Sequence, residues 1–414
     1  MRISYAAGVL LLVFSSGVLA QPEIHWKTRL YGRGTVIDRQ PAANATTDRR
    51  HWVVQFAAAP TAADLETLRL RGARVVSPAP EWGFVISGDE STDLSGLNLA
   101  HVEPIAAAEK LSPEFNLRLA GARRRTAAES GKYVVEFHSD VEPASAREVL
   151  LSAQVRVVDH PQLLNQHYVV EATADGLNRL LSWDEVAYVF PASGELLGAA
   201  PVTACYGAVT ENGSVGQSIA LVGPGWAAGT GGATRLNYAL GALSSKIGPA
   251  TLRAEIQRAL DEWSKHLQVD FEEINQLTAM RTLAFRWGRG PSGGPLPFDG
   301  PGRMLAYTYY PAPPNPEPTA GDLYFDDDEN WQVGNDVDLY SVVLHEVGHA
   351  LGLGHSDRPG AVMYPYYRKA AGLTEEDIAA ARNLYAARVV VSETPSTPAR
   401  PAPARPQNLS LIHI

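Results

Sequence analysis

The residues of the chain best suited to chemistry sit within eleven positions: His345-Glu346-Val347-Gly348-His349-Ala350-Leu351-Gly352-Leu353-Gly354-His355. On a helix, a spacing of four carries the chain through one full turn and about 40° more, so His345 and His349 leave the same face. Two neutral imidazoles so placed can bind one zinc ion. Glu346, beside the first of them, can serve as a base without ligating. Gly352 can stop the helix and let the chain reverse, because glycine reaches backbone conformations that other residues avoid. His355 can then return as a third ligand. Three protein ligands leave a fourth position open, which distinguishes a catalytic zinc from a structural one. Three of the chain's eleven histidines meet these requirements within one short run, which argues against a helix that carries its histidines by chance.

The run matches H-E-x-x-H-x-x-G-x-x-H in full, and with it the chain resembles the metzincins, and among them the matrixins, the matrix-metalloproteinase-like peptidases. Val362-Met363-Tyr364-Pro365 resembles the family's Met-turn, with Met363 under the metal. Ser356 after the third histidine is usual for matrixins. Pro365-Tyr366-Tyr367 resembles the wall of the main specificity pocket, to which Pro365 and Tyr367 would contribute. Pro297-Phe298-Asp299-Gly300, the run from Gly321 to Glu329, and the closing helix at 373–385 also follow the family. Leu305-Ala306 resembles the edge strand that pairs with extended substrate. The resemblance covers about residues 232–388. It implies an α+β catalytic domain, a twisted sheet with three helices. It also implies one catalytic zinc on His345, His349 and His355, with Glu346 as general base. The function implied is a secreted zinc endopeptidase acting on extracellular protein or peptide substrates, made as a latent precursor.

The departures from the family are specific. Its second, structural zinc would fall on Ser292, Gly294, Tyr307 and Tyr324, so no structural zinc is expected. Its main structural calcium site would fall on Asp299, Asp326 and Glu329, oxygen ligands suited to that hard cation. Calcium sites built around Asp322 lose a partner, because Met280 stands where an aspartate is usual. Cys205, the single cysteine, lies upstream of the peptidase region, and a free thiol in an exported protein needs a reason. The family's reason is a cysteine switch, a soft thiolate in the open zinc position. Ala204-Cys205-Tyr206-Gly207 keeps part of that pattern and lacks its arginine. The alternative is a buried, inert thiol.

The elements that must position this site are also legible. Leu252, Ile256, Leu260, Trp263 and Leu267 recur by three or four, predicting an amphipathic helix over 249–267 behind Pro249. Strands are expected at 282–287 and 304–310, and helices at 338–351 and 374–387. Thr374 and Asp377 are spaced as a capping box for the last helix. Upstream, residues 50–112 and 130–200 form an internal repeat. His51-Trp52-Val53-Val54-Gln55-Phe56 matches Lys132-Tyr133-Val134-Val135-Glu136-Phe137. Each copy reads strand, helix, two strands, helix, strand, the order of a ferredoxin-like α/β unit. The arrangement resembles the pro-segments of some secreted peptidases. Arg123-Arg124-Arg125 between the copies reads as a solvated linker, or as a processing site. Residues 21–49 carry no period and read as an irregular leader. Gly- and Ala-rich residues 201–231 suit an exposed linker, with a new domain, 232–391, following.

The remaining signals bound the class. The chain has 414 residues, ample for two to three domains, and net charge −10, which argues against nucleic acid as a partner. Residues 1–20, with Arg2 before a short apolar run ending in Val18-Leu19-Ala20, read as a signal peptide. No membrane contact is expected after its removal, and the protein is expected to be monomeric. From residue 392 the Pro-, Ala- and Ser-rich tail is expected to be disordered. The competing class is a non-catalytic secreted binding protein that uses the repeat units.

Overall fold

The computed structural model describes residues 24–28, 30–31, 36–37, 44–115, 130–160, 163–198, 203–205, 207–228, 232–312 and 314–388. The signal segment 1–20, Arg123-Arg124-Arg125, Tyr206 and the tail from 392 lie outside the described residues. Among the described residues, no helix is long and apolar enough to cross a membrane.

The expected irregular leader contains three short strands, β1 (Ile24–Trp26), β2 (Leu30–Tyr31) and β3 (Val36–Ile37). The first repeat copy comprises β4 (Arg50–Phe56), α1 (Ala62–Leu70), β5 (Arg74–Ala79), β6 (Gly83–Gly88) and β7 (Leu99–Pro104). Its second crossover is made of turns, not the expected helix. Asp89, Ser91, Thr92 and Asp93 there spend their side chains on local backbone and side-chain hydrogen bonds, which compete with helix formation. The second copy keeps both helices: β8 (Gly131–Phe137), α2 (Pro143–Ser152), β9 (Arg156–Val158), β10 (His167–Ala172), α3 (Ala174–Leu181) and β11 (Val186–Pro191). The sheets run β3-β7-β4-β6-β5 and β11-β8-β10-β9. Within each copy's own four strands every pairing is antiparallel.

Both faces of both sheets are covered, which explains the unbroken Val53-Val54 and Val134-Val135 pairs. Val54 and Phe56 pack with Leu68 of α1, and Val135 and Phe137 pack under α2 and α3. The opposite faces look towards the rest of the chain. Val53 and Val85 meet Trp26, Ala208, Ile219 and Tyr310, while Val134, Val169, Tyr188 and Phe190 meet Ala204, Tyr364 and Tyr366. The two copies are clasped to each other by His51. Its Nδ1 lies 2.5 Å from Asp184 and its Nε2 lies 2.9 Å from Asp140, while the ring stacks on His138 with centroids 3.9 Å apart.

The segment expected to be an exposed linker is not one. It forms β12 (Ala208–Thr210), β13 (Gly213–Ser214) and β14 (Ile219–Leu221), and most of its described residues are buried. Its small residues let it lie flat against neighbouring backbone. β14 pairs with β1, and an isolated bridge joins Leu221 to Leu353. Trp226 is buried in the core that lies under the C-terminal sheet and donates its Nε1–H to the Ala350 carbonyl at 2.8 Å.

The remaining elements are β15 (Thr234–Leu240), α4 (Pro249–His266), β16 (Val269–Glu273), β17 (Thr282–Gly288), β18 (Ala306–Tyr309), β19 (Leu323–Asp326), α5 (Leu339–Ala350) and α6 (Glu375–Ala381). One sheet runs β13-β12-β18-β19-β17-β15-β16. The amphipathic face of α4 packs on α5, where the Trp263 indole donates to the Leu344 carbonyl at 3.0 Å. All twelve residues of α5 are buried, as an apolar helix at the centre of a domain must be. α6 ends six residues before the expected 387, and the chain continues as a turn that seats Leu384 and Tyr385 against the core.

Candidate metal centre and cleft

α5 is capped by Asp338, whose side chain accepts from the Ser341 N–H and so satisfies one of the open amides of the first turn. Two turns on, His345 and His349 project together. Gly352, at φ +105°, reverses the chain and brings His355 to them. The Nε2 atoms converge, His345 to His349 at 3.1 Å and His349 to His355 at 3.2 Å. Each Nδ1 lies 2.7 Å from an acceptor: the carbonyls of Val362 and Leu353, and Oε1 of Gln217. Nδ1 therefore carries the proton, and each Nε2 turns a lone pair inward. Burial holds all three rings neutral, His345 down to about 4 and the other two well below their ordinary value. Three buried lone pairs at this distance repel one another unless a cation lies between them. Cys205 completes the set, its sulfur and the three ring nitrogens lying within 4.8 Å of one another. Three nitrogens and a sulfur suit zinc.

Glu346 is fully buried beside this cluster and accepts from Thr308 Oγ1 at 2.6 Å. Burial raises its carboxyl to about 7. Burial, and then the neighbouring Glu346, push the Cys205 thiol well above its ordinary value. The cysteine arrives on a segment that fills the cleft. The Ala204 N–H donates to the Arg303 carbonyl at 2.7 Å, and the Leu305 N–H donates to Ala204 at 3.0 Å. On the opposite side the Cys205 N–H donates to Pro365 at 3.0 Å, and the Tyr367 N–H donates to Thr203 at 2.8 Å. Farther on, β12 pairs in parallel with β18, Ala208 opposite Thr308. The edge strand at Ala306 is thus engaged by the chain itself. The pocket between Leu305, Val342, His345, Pro365 and Tyr367 has a free volume of only about 20 Å³.

The second repeat unit covers the outside of the same wall. His167 Nδ1 lies 2.7 Å from the Tyr366 hydroxyl, and the Tyr364 hydroxyl donates to the Pro191 carbonyl at 2.9 Å. The Tyr188 hydroxyl donates to Asp357 at 2.8 Å, and Lys27, next to β1, pairs with the same carboxylate at 2.5 Å.

Met363 lies beneath the helix, so close that a Cβ on Gly348 would fall 2.3 Å from its sulfur. Its turn hangs from Asp377 of α6. That carboxylate accepts the N–H groups of Val362 and Met363 at 3.0 and 3.1 Å, and those of Thr374 and its hydroxyl at 2.9 and 2.6 Å. Sequence reasoning identified Asp377 only as a cap. It missed the turn contact, along with Gln217, Thr308, Tyr188 and Asp357, because none of these has a local pattern; each acts across a long stretch of chain.

The candidate calcium ligands share one loop cluster. Burial and mutual repulsion with Asp299 and Asp328 raise Asp326 to about 6 and Glu329 to about 7, while Asp299 has Arg303 at 3.9 Å; their oxygens are not gathered as closely as the ligand atoms of the histidine cluster. Asp322 is different, because the Arg286 guanidinium bonds it directly. At the positions of the family's structural zinc, Tyr307 and Tyr324 stack with centroids 5.1 Å apart. A Cβ on Gly294 would fall 2.3 Å from the Tyr307 hydroxyl.

Residues 230–386 match the family model described as Matrixin. Matrilysin of Rattus norvegicus is 40% identical over 139 residues, covering 32% of this chain and 50% of matrilysin. Matrix metalloproteinase-25 of Mus musculus is 36% identical over 132 residues, 31% of this chain and 21% of that protein. Matrix metalloproteinase-16 of Homo sapiens is 37% identical over 142 residues, 32% of this chain and 23% of that protein. The chain therefore matches half or less of the length of these three relatives.

Proposed function

We propose, on the premise that residues 230–386 are a matrixin domain, that this chain is the latent precursor of a secreted zinc endopeptidase. The single observation that carries the reading is the convergence of three neutral Nε2 atoms beside the buried Glu346, with Cys205 over them. His345, His349 and His355 hold the metal. Zinc bound there supplies Lewis acidity, which lowers the pKa of water and polarises a carbonyl. Glu346 takes the water's proton and passes it to the leaving amine, a role whose loss commonly costs about 10²–10⁴-fold. Thr308 holds one Glu346 oxygen and so fixes where the other points. The edge of β18, once β12 has left it, pairs with the main chain of an extended protein or peptide substrate, opposite the wall at Pro365 and Tyr367. Asp299, Asp326 and Glu329 bind a structural calcium.

Latency has three supports. Residues 203–205 and 208–209 take the main-chain hydrogen bonds of the cleft, Cys205 takes the open metal position, and the second repeat unit buries Tyr364 and Tyr366. We read both repeat units as ferredoxin-like, the first with its second helix reduced to turns, and together as the pro-region. This reading favours a zymogen over a non-catalytic binding protein, because repeat units kept for an outside partner would not spend a sheet face on the peptidase.

The test is zinc-dependent cleavage of an unstructured protein by the chain after limited proteolysis, with Glu346→Ala beside it. The variant retains zinc and loses activity. In the uncleaved chain, Cys205→Ser gains early activity, and a thiol-modifying mercurial activates the wild type. A Glu346→Ala protein with most of its activity overturns the mechanism. Equal silence of both uncleaved proteins, with no effect of mercurial, assigns latency to the repeat units alone.

A further inference from the structure

Two of the three metal-facing imidazoles are steadied from within the matched domain, by the carbonyls of Val362 and Leu353. The third is not. His355 Nδ1–H has as its acceptor the side chain of Gln217, 2.7 Å away, and Gln217 lies thirteen residues before the matched region begins. Gln217 is buried, and its own main-chain N–H donates to Glu136 of the second repeat unit at 3.3 Å. From its position alone it would be assigned to the part of the chain that maturation discards.

The neighbouring residues indicate otherwise. Directly after Gln217 the chain is stitched to the loop that carries His355. The Gly354 N–H donates to the Ala220 carbonyl at 2.9 Å, and the Val222 N–H donates to Gly352 at 2.9 Å. Contact at Gly354 is so close that a Cβ there would fall 2.1 Å from the Ile219 carbonyl oxygen. Trp226 then enters the core and bonds the end of α5. Residues 217–226 thus pack as part of the peptidase. The cleft-filling residues 203–205 and 207–210 are separated from them by a hairpin whose tip, Glu211 and Asn212, is exposed.

We propose that Gln217 is a positioning residue for the metal site, and that 217–226 stays with the peptidase after its activation. The amide oxygen of Gln217 fixes the His355 tautomer and aims Nε2 inward, the service that backbone carbonyls perform for His345 and His349. The hairpin tip is then the place where a cut parts the inhibitory stretch from the retained one. This proposal rests on the zinc reading above, and its test separates the two.

Zinc affinity of the full chain is measured by competition with a chromogenic chelator, and the visible spectrum of the cobalt(II)-substituted protein is recorded. Loss of a ligand's outer hydrogen-bond partner typically weakens metal binding 10–100-fold. Gln217→Ala and Gln217→Leu are expected to fall by roughly that factor and to shift the cobalt spectrum. Gln217→Glu, which keeps an acceptor, is expected to restore both. Limited proteolysis with mass spectrometry is expected to give an active peptidase beginning between residues 211 and 217. Wild-type affinity and spectrum in Gln217→Leu would overturn the positioning role. An active, tight-binding peptidase that begins after Trp226 would overturn the retention of the segment. If the wild type binds no zinc, it is the zinc reading that fails.

Discussion

Replacing Asp377 by alanine removes one buried carboxylate that serves two elements. It caps α6 through Thr374, and it holds the main-chain amides of Val362 and Met363 above that helix. Loss of a capping interaction costs about 1 kcal/mol. Two buried amides left without an acceptor cost about 1–3 kcal/mol each. The sum is about 3–7 kcal/mol, against about 1 kcal/mol for Thr374→Ala, which loses the cap alone. The effect should reach the metal, because the Val362 carbonyl is the acceptor for His345 Nδ1–H. Tilting that peptide loosens the ring, and zinc affinity should drop about tenfold. Urea unfolding of the zinc-loaded chain, with a chelator titration on the same samples, gives both numbers. Were Asp377→Ala to match Thr374→Ala in stability and the wild type in zinc affinity, the turn would not depend on this carboxylate.

Other outcomes follow from the same geometry. Metal analysis is expected to give one zinc per chain, lost in His349→Ala, because an aromatic stack occupies the positions of the family's second zinc; two tightly held equivalents would refute this. Calcium is expected to stabilise the folded chain through Asp299, Asp326 and Glu329, by about 2.7 kcal/mol at a hundredfold excess over the dissociation constant, and so to raise the melting temperature. An unchanged melting temperature after selective calcium chelation would refute that site. The clasp between the repeat units should depend on pH. Burial opposes the charged form of His51, but Asp140 and Asp184 outweigh it and raise the pKa above its ordinary 6.5. Its contribution is present in full below 6.5 and is lost as pH rises through the higher folded value. Unfolding of the chain followed from pH 5 to 9 should show that loss, and His51→Gln should flatten it; an unaltered profile in the variant would exclude His51 as its source.

How much of this was legible in the sequence depended on how local each signal is. The zinc run, α4 and the start of α5 are read within a dozen residues, because helical spacing and a cap are sufficient. The reading of the upstream strands rested on a simple alternation of elements. It failed at residues 89–98, where short polar side chains serve their own turns. The largest misreading was at 201–231. Glycine and alanine there signalled exposure, yet Ala204 and Ala208 lie in the cleft and Ala220 lies against the Gly354 backbone. Composition gives the size of a side chain but not what lies beside it. Gln217 and Asp377 escaped for the same reason: a single polar residue gains its meaning only from a partner more than a hundred residues away in one case, and about fifteen in the other.

In the proposed zymogen, the pro-region is tied to the peptidase at both of its ends. β1 and Lys27 hold β14 and Asp357 at one end, and the 203–210 segment holds the cleft at the other. A cut at the exposed hairpin breaks the covalent link and neither attachment. What had been a folded chain becomes a complex of two, and its dissociation obeys mass action. The onset of activity after cleavage should then depend on dilution, fast where the enzyme is scarce and slow where it accumulates. A second cut within the repeat units, which dismantles the bound fragment, would remove that dependence on concentration.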